Sequence, residues 1–300
     1  MKRLNSFFLA SLGILLLAGC STTKVNLYEY KDVSSVAIVD EDKANYKVVR
    51  PKLNANIRVD TNGWKDLQST MSDYFLAYND RRKVFELDKN GSYRLKLTLH
   101  NVDSNQQYTP PRFVEKKRKI KTDKGVIIKD ESYYTKPYWT YTVETAAVAE
   151  LIAPGGEKKF FESSDTSSYS INGKYPSEVP RSKYIESLQE TLSKILNQIA
   201  NDVAPEGLVV SKKVALDDDE DYIFMVNMGK EEGLYEGQTL QMYKEVIFKD
   251  EIDAKMINNK VRIGTAKVSD QIMPHYAWIV MDDSDQNRLI EVGDIIRPMY

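Results

Sequence analysis

The chain has a single cysteine, Cys20, which follows a basic pair, Lys2 and Arg3, and an apolar run from Phe7 to Ala18. One cysteine leaves no partner for an internal disulfide, so any fold must be held by packed cores alone. The basic start, the short apolar stretch and the small residues before the cysteine have the layout of a secretory signal peptide covering residues 1–19. That apolar run is too short for a membrane span, which takes about 20 residues. Removing residues 1–19 takes away Lys2 and Arg3 and no acid, so the 42 basic residues fall to 40 against 44 acidic ones. A mildly acidic chain argues against a dedicated nucleic-acid binder, whose domain would be strongly basic. Tyrosine is abundant, at 19 residues, and supplies amphipathic surface suited to protein or glycan contact.

The tetrapeptide Leu17-Ala18-Gly19-Cys20 resembles the bacterial lipobox. That resemblance implies cleavage before Cys20, acylation of its thiol and acylation of the new amino terminus. Each buried methylene contributes about 0.8 kcal/mol and stable anchoring needs more than one chain, so a multiply acylated Cys20 is a lasting membrane anchor. Ser21 follows the cysteine where the enterobacterial inner-membrane retention signal has Asp. The expected location is the outer membrane, periplasmic face.

Residues 20–30 show little apolar periodicity and read as a lipidated tether. Val33, Val36, Ile38 and Val39 mark a first strand, and Asn62 is placed to cap a helix carrying Trp64, Leu67, Met71, Tyr74, Phe75 and Tyr78 at three- and four-residue spacing, ended by Asn79-Asp80. A short strand at 83–87 precedes a longer one in which Tyr93, Leu95, Leu97 and Leu99 alternate with Arg94, Lys96, Thr98 and His100. After Asn101 the alternation dissolves into a polar stretch that reads as a protruding basic hairpin near 108–137. Trp139, Tyr141, Val143, Thr145, Ala147, Ala149 and Leu151 then line one face of a strand that turns at Pro154-Gly155-Gly156 into an antiparallel partner. A second helix, capped by Ser182, presents Tyr184, Leu188, Leu192, Ile195, Ile199 and Val203. Pro205-Glu206-Gly207 stops it and marks a domain boundary, giving domains at 31–205 and 206–300. Past that boundary the pattern is short strands and glycine turns, as in a small barrel.

The residues carry little that reads as chemistry. His100 and His275 are the only histidines, and neither has a cysteine or second histidine at ligand spacing, so no metal site is expected. Asp217-Asp218-Asp219-Glu220-Asp221 lacks the alternating ligands and the glycine of an EF-hand loop and reads as a solvated acidic turn. Neither a nucleophile elbow nor a phosphate loop occurs. The expectation is a protein that is not an enzyme, with no catalytic residue, no cofactor and no nucleic-acid partner. Seven Lys/Arg residues stand between Arg112 and Lys124 against Glu115 and Asp123. Three readings stay open for that segment: a solvated hairpin, a contact for anionic lipid or glycan, or a docking edge for an acidic neighbour, with Lys116, Lys117, Arg118, Lys119 and Lys121 as the contact residues.

The order of strands and helices over 31–205 resembles TolB amino-terminal-like domains, a group that includes curli-secretion lipoproteins and lipoprotein activators of penicillin-binding proteins. Val226-Asn227-Met228-Gly229, Glu232 to Leu240, Ile263 to Val268 and Val292-Gly293-Asp294-Ile295-Ile296 look like the carboxy-terminal SH3-like barrel of flagellar assembly protein T. Together these imply an α+β fold: a mixed α/β sandwich with two main helices, followed by a small SH3-like β-barrel. The function expected from them is non-catalytic: an assembly or scaffold factor for an envelope machine, a flagellar basal-body ring being the most specific case. Regulation of a peptidoglycan synthase is the alternative, and a curli-type secretion pore a further one, disfavoured because adjacent charges in Glu115 to Lys119 leave no lipid-facing side. Expected partners are the membrane, through the lipid, and envelope proteins, with a homo-oligomer among the possible states. Changing Cys20→Ser is expected to abolish acylation and detergent-phase partitioning, read by intact mass and phase separation; an unchanged mass and partition would refute the lipobox reading.

Overall fold

The computed structural model describes residues 23–33, 46–61, 63–122, 125–249 and 256–300. Cys20, the signal-like stretch, Asn62 and the strand residues Val36, Ile38 and Val39 lie outside the described residues. The fold is mixed α+β, with about 19% helix and 50% strand. Its cores are therefore built on sheets. Residues 47–206 group into one compact unit, with 231–233 and Arg297–Tyr300; residues 207–230 and 234–296, with the described residues up to Tyr46, form the other.

The chain begins with β1 (Tyr30–Asp32), then β2 (Lys52–Val59), α1 (Leu67–Arg82), β3 (Glu86–Leu87), β4 (Tyr93–Thr109), β5 (Phe113–Thr122), β6 (Gly125–Tyr134), β7 (Tyr138–Ile152), β8 (Lys158–Asn172) and α2 (Arg181–Val203). β3, β2, β4, β7 and β8 form one sheet in that order, with β2 parallel to both neighbours and β4, β7 and β8 antiparallel. Leu53, Leu95, Leu97, Leu99, Ala147, Ala149 and Leu151 bury one face of it against Met71 and Phe75 of α1 and Leu188, Leu192, Ile195 and Ile199 of α2. Both helices thus cover the same face. The two alanines on β7 keep that strand low enough for α2 to lie across it, as layered packing requires.

β4 is longer than the alternation suggests. It pairs with β7 all the way to Thr109, and the register slips between Leu99 and Asn101, so that His100 is an extra residue. A bulge of one residue reverses the facing of everything after it. Val102 consequently packs on the helix side, in line with Leu99. The expected helix caps also move. Residues before α1 form turns in which Leu67 N donates to Trp64 O at 2.9 Å, and the helix starts at Leu67 behind Asp66, which makes no side-chain cap. Asn79 does not end α1, which runs on to Arg82. Buried instead, it accepts from Phe85 N at 2.9 Å and donates to Phe85 O at 3.1 Å, fastening the helix to the next segment. α2 starts at Arg181 with Pro180 at the cap position, leaving Ser182 inside the first turn. The proline ring presets the backbone for that entry, so no side-chain cap is used.

The second unit is a six-stranded closed barrel. β9 (Gly207–Ala215), β10 (Tyr222–Val226), β11 (Thr239–Lys249), β12 (Met256–Ile272), β13 (Ala277–Met281) and β14 (Ile295–Pro298) pair in the order β9-β10-β13-β12-β11-β14, and β14 returns to β9. Val209, Phe224, Val226, Leu240, Met242, Ala266, Val268, Ile279 and Ile296 fill it. In the last turn the buried Asp294 accepts from Glu291 N at 2.8 Å while its own N–H donates to Glu291 O, which is the physical role of the Val292-Gly293-Asp294 motif. Gly229 is pressed against Met273 O, Pro274 O and Tyr276 N, where a Cβ would not fit.

Of the segment read as a tether, the described residues 23–30 pack against the barrel. β1 pairs with Lys213–Ala215, on the β9 edge that β14 leaves open beyond Leu208, and Val25 is buried with Ile223 and Trp278. Apolar periodicity missed this because a single buried valine and a three-residue strand are too short to establish a period.

Thr145 on β7 is fully buried and shares hydrogen bonds with Thr191 Oγ1 at 2.7 Å and Ser187 Oγ at 3.0 Å of α2. Thr145→Val is expected to cost about 1–3 kcal/mol in denaturant unfolding because it strands buried hydroxyls. The double variant with Thr191→Val should cost less than the sum of the singles; strict additivity would show that the three hydroxyls do not act as one network.

Candidate interaction surface

The two strands β5 and β6 form a ribbon that, among the described residues, pairs with no third strand. Its root is tied by Thr135 N to Arg112 O at 2.8 Å and Arg112 N to Thr135 Oγ1 at 2.9 Å, with Phe113 and Tyr134 rings 5.2 Å apart. Lys116 lies opposite Glu131, Lys117 opposite Asp130 and Arg118 opposite Lys129. Opposed charges in the first two pairs offset the like pair in the third, and Arg118 reaches Glu131 at 3.8 Å. Lys116, Lys117, Arg118 and Lys119 are all exposed on this one ribbon; Lys121 follows on the same strand, its side chain outside the described set.

Beside the lysines stand apolar residues whose exposure the charge run does not announce. Ile120, Val126 and Ile128 are 37%, 58% and 59% exposed near the turn, and Phe113, Tyr133 and Tyr134 are exposed near the root. Isolated two-stranded ribbons are marginal in water, so apolar side chains without cover are a cost that binding can relieve.

Two further strand features face outward. β8 is the edge of its sheet, 15 residues long, free of proline and in unbroken register with β7. Thr140 with Ser170 and Thr142 with Ser168 form a hydroxyl ladder along it, at 3.3 and 3.2 Å. Edges of this length are normally blunted, and an open one is a template for another strand. The β11–β12 hairpin extends past the barrel as far as the pair Lys249 and Met256, with Val246, Ile247 and Val261 exposed. The sequence alone does not announce this extension, because the residues after Tyr243 and before Val261 mix polar and apolar types without clean alternation.

Titratable groups serve local structure. Asp218 Oδ1 accepts from Glu220 N at 2.9 Å, and Glu220 pairs with Arg288, so the acidic run is a hydrogen-bonded turn. Asp221 accepts from Tyr30 Oη at 3.0 Å. His100 lies at an open cavity of about 280 Å³ with Lys96, Glu150 and Phe160, and His275 is exposed on the β12–β13 turn. A groove of about 350 Å³ between β2 and α1 is lined by Leu53, Ala55, Ile57, Phe75, Leu76 and Leu87. Among the described residues no group of three or more His, Cys, Asp or Glu is placed to hold a metal ion, and no helix is long and apolar enough to cross a membrane.

No protein-family model matches the chain, and no curated protein matches it at a significant level. The geometry must therefore carry the functional argument by itself.

Burial, and then the hydrogen bond to Asp221, raise the Tyr30 phenol from its usual 10.0 to about 12. The folded value exceeds the unfolded one, so the contribution is whole below pH 10 and lost as pH rises toward 12. Burial also raises the Tyr78 and Tyr169 phenols, so tyrosinate absorbance is expected to show late-titrating phenols of which Tyr30→Phe removes one; an identical titration in the variant would refute the docked placement of β1.

Proposed function

We propose that this chain is a non-catalytic lipoprotein on the periplasmic face of the outer membrane that serves as an assembly or scaffold factor for an envelope machine. In this reading the two units correspond to a TolB amino-terminal-like domain and an SH3-like barrel, and a flagellar basal-body ring is the most specific machine that the barrel motifs suggest. The single observation that carries the reading is the ribbon, where basic side chains and exposed Ile120, Val126 and Ile128 stand together on two strands that pair with no other strand among the described residues. Such a surface suits a protein that binds another: apolar contact supplies affinity, and the lysines select an acidic neighbour and speed its arrival. The open β8 edge adds a route to self-association by strand pairing.

The test is replacement of residues 113–134 by a short glycine-serine turn, which keeps the Arg112 and Thr135 bonds at the root. Lipidated wild type, extracted in mild detergent, is expected to show a native mass above the monomer or crosslinks to an envelope protein, and the variant to lose them while keeping its melting temperature. A wild-type monomer without crosslinks, or a variant that retains the assembly, would overturn the proposal.

A further inference from the structure

The N-terminal segment is fixed to the barrel in a definite direction. Tyr30 pairs with Ala215, next to the start of β10. Val25 is buried between Ile223 and Trp278, midway along the barrel. Thr23 accepts a hydrogen bond from Asp270 N at 3.2 Å, and Asp270 Oδ1 in turn accepts from Val25 N at 3.0 Å. Followed backward, the chain therefore runs from the end of the barrel that holds Ala215 and Tyr222 toward the opposite end, where β12 turns into β13.

Only Ser21 and Thr22 separate Thr23 from Cys20. Three residues reach about 11 Å at full extension. Asp270 stands a similar three residues from Met273, where the turn begins. Met273, Pro274, His275 and Tyr276 are four consecutive exposed residues, with Met273 at 41% and Tyr276 at 43%. The turn is rigid: Met273 N donates to Tyr276 O at 2.8 Å, Lys230 N donates to Met273 O at 3.0 Å, and Gly229 packs directly beneath. Lys230 is exposed beside it, and Lys24 is exposed on the docked segment between Thr23 and Val25.

From this geometry we infer that the turn Met273 to Tyr276, with Lys24 and Lys230, is a second contact with an anionic phospholipid bilayer, so that the barrel lies end-on against the surface to which Cys20 is anchored. The inference rests on the lipidation of Cys20 stated above and goes beyond it, because a flexible tether would leave the barrel free to turn. Tyrosine places an apolar ring and a polar hydroxyl at headgroup level, and methionine adds a flexible apolar chain. The two lysines meet anionic headgroups there. The docked segment makes the arrangement specific: Thr23, where the described chain begins, and the turn lie toward the same end of the barrel.

Cys20 is the only cysteine, and acylation consumes its thiol, so an introduced cysteine is the only free one in the lipidated protein. Met273→Cys and, at the opposite end, Leu216→Cys are labelled with an environment-sensitive fluorophore in full-length lipidated protein. The samples are reconstituted in vesicles of phosphatidylethanolamine and phosphatidylglycerol carrying a shallow spin-labelled quencher. The expected result is a blue-shifted, quenched label at 273 and an unshifted, unquenched one at 216. If intact mass shows acylated Cys20 and the protein floats with the vesicles, but the label at 273 is unquenched or no more quenched than that at 216, the contact is overturned and lipidation stands. If neither acyl mass nor flotation is found, the lipidation reading fails and takes the contact with it.

Discussion

The first unit depends on the packing of α2 across β7. β7 is paired along its whole length, by β4 on one side and β8 on the other, so its backbone groups are satisfied and its helix-facing row can be buried completely. That row changes character along the strand: Ala147 and Ala149 admit the helix closely, while Thr145 meets Ser187 and Thr191 in a hydrogen-bonded cluster. Hydroxyls buried so deeply are tolerable only because each has a partner, and the pairing fixes how far along the strand the helix can sit. Tyr78 Oη reinforces this by donating to Asn197 Oδ1 at 2.8 Å, which ties α1 to α2 over the same sheet.

In the barrel the corresponding constraint is closure. β9 is shared by three partners: β10 along one edge, and β14 and β1 successively along the other. The last two divide an edge that would otherwise be left open, which is the usual liability of a sheet. A segment that precedes the first domain in sequence thereby becomes part of the second. Under the proposed lipidation of Cys20, this would substitute a fixed attachment for a loose one, bearing on orientation as well as location.

The sequence exposes its strands where alternation is uninterrupted and hides them where one residue breaks the phase. Leu95, Leu97 and Leu99 were legible, and so was the buried row from Tyr141 to Leu151, because each is a clean period of two facing a core. The second half of β4 was not, since the extra residue at His100 inverts the pattern and makes a continuing strand look like its end. The helix stripes survived because they repeat over several turns, whereas their starting points shifted: local turns and Pro180 supplied entries that no capping side chain announced. The lysines of the ribbon were legible as a charge run. Their pairing across the ribbon with Glu131 and Asp130, and the exposure of Ile120, Val126 and Ile128 beside them, needed the register.

By itself the sequence determined that the chain has no disulfide, that two amphipathic helices and a row of strands supply its cores, and that a strand-rich region follows Pro205-Glu206-Gly207. Composition and periodicity fix such things because burial of apolar surface is local in pattern even when it is distant in space. Only the tertiary structure decided that β14 closes on β9, that residues 23–33 belong to the barrel, and that Thr23 and the turn at Met273 lie toward the same end. These pairings join residues far apart in the chain, 245 positions in the case of Val25 and Asp270. They rest on backbone hydrogen bonds and one buried side chain, which leave no periodic trace in the order of the amino acids.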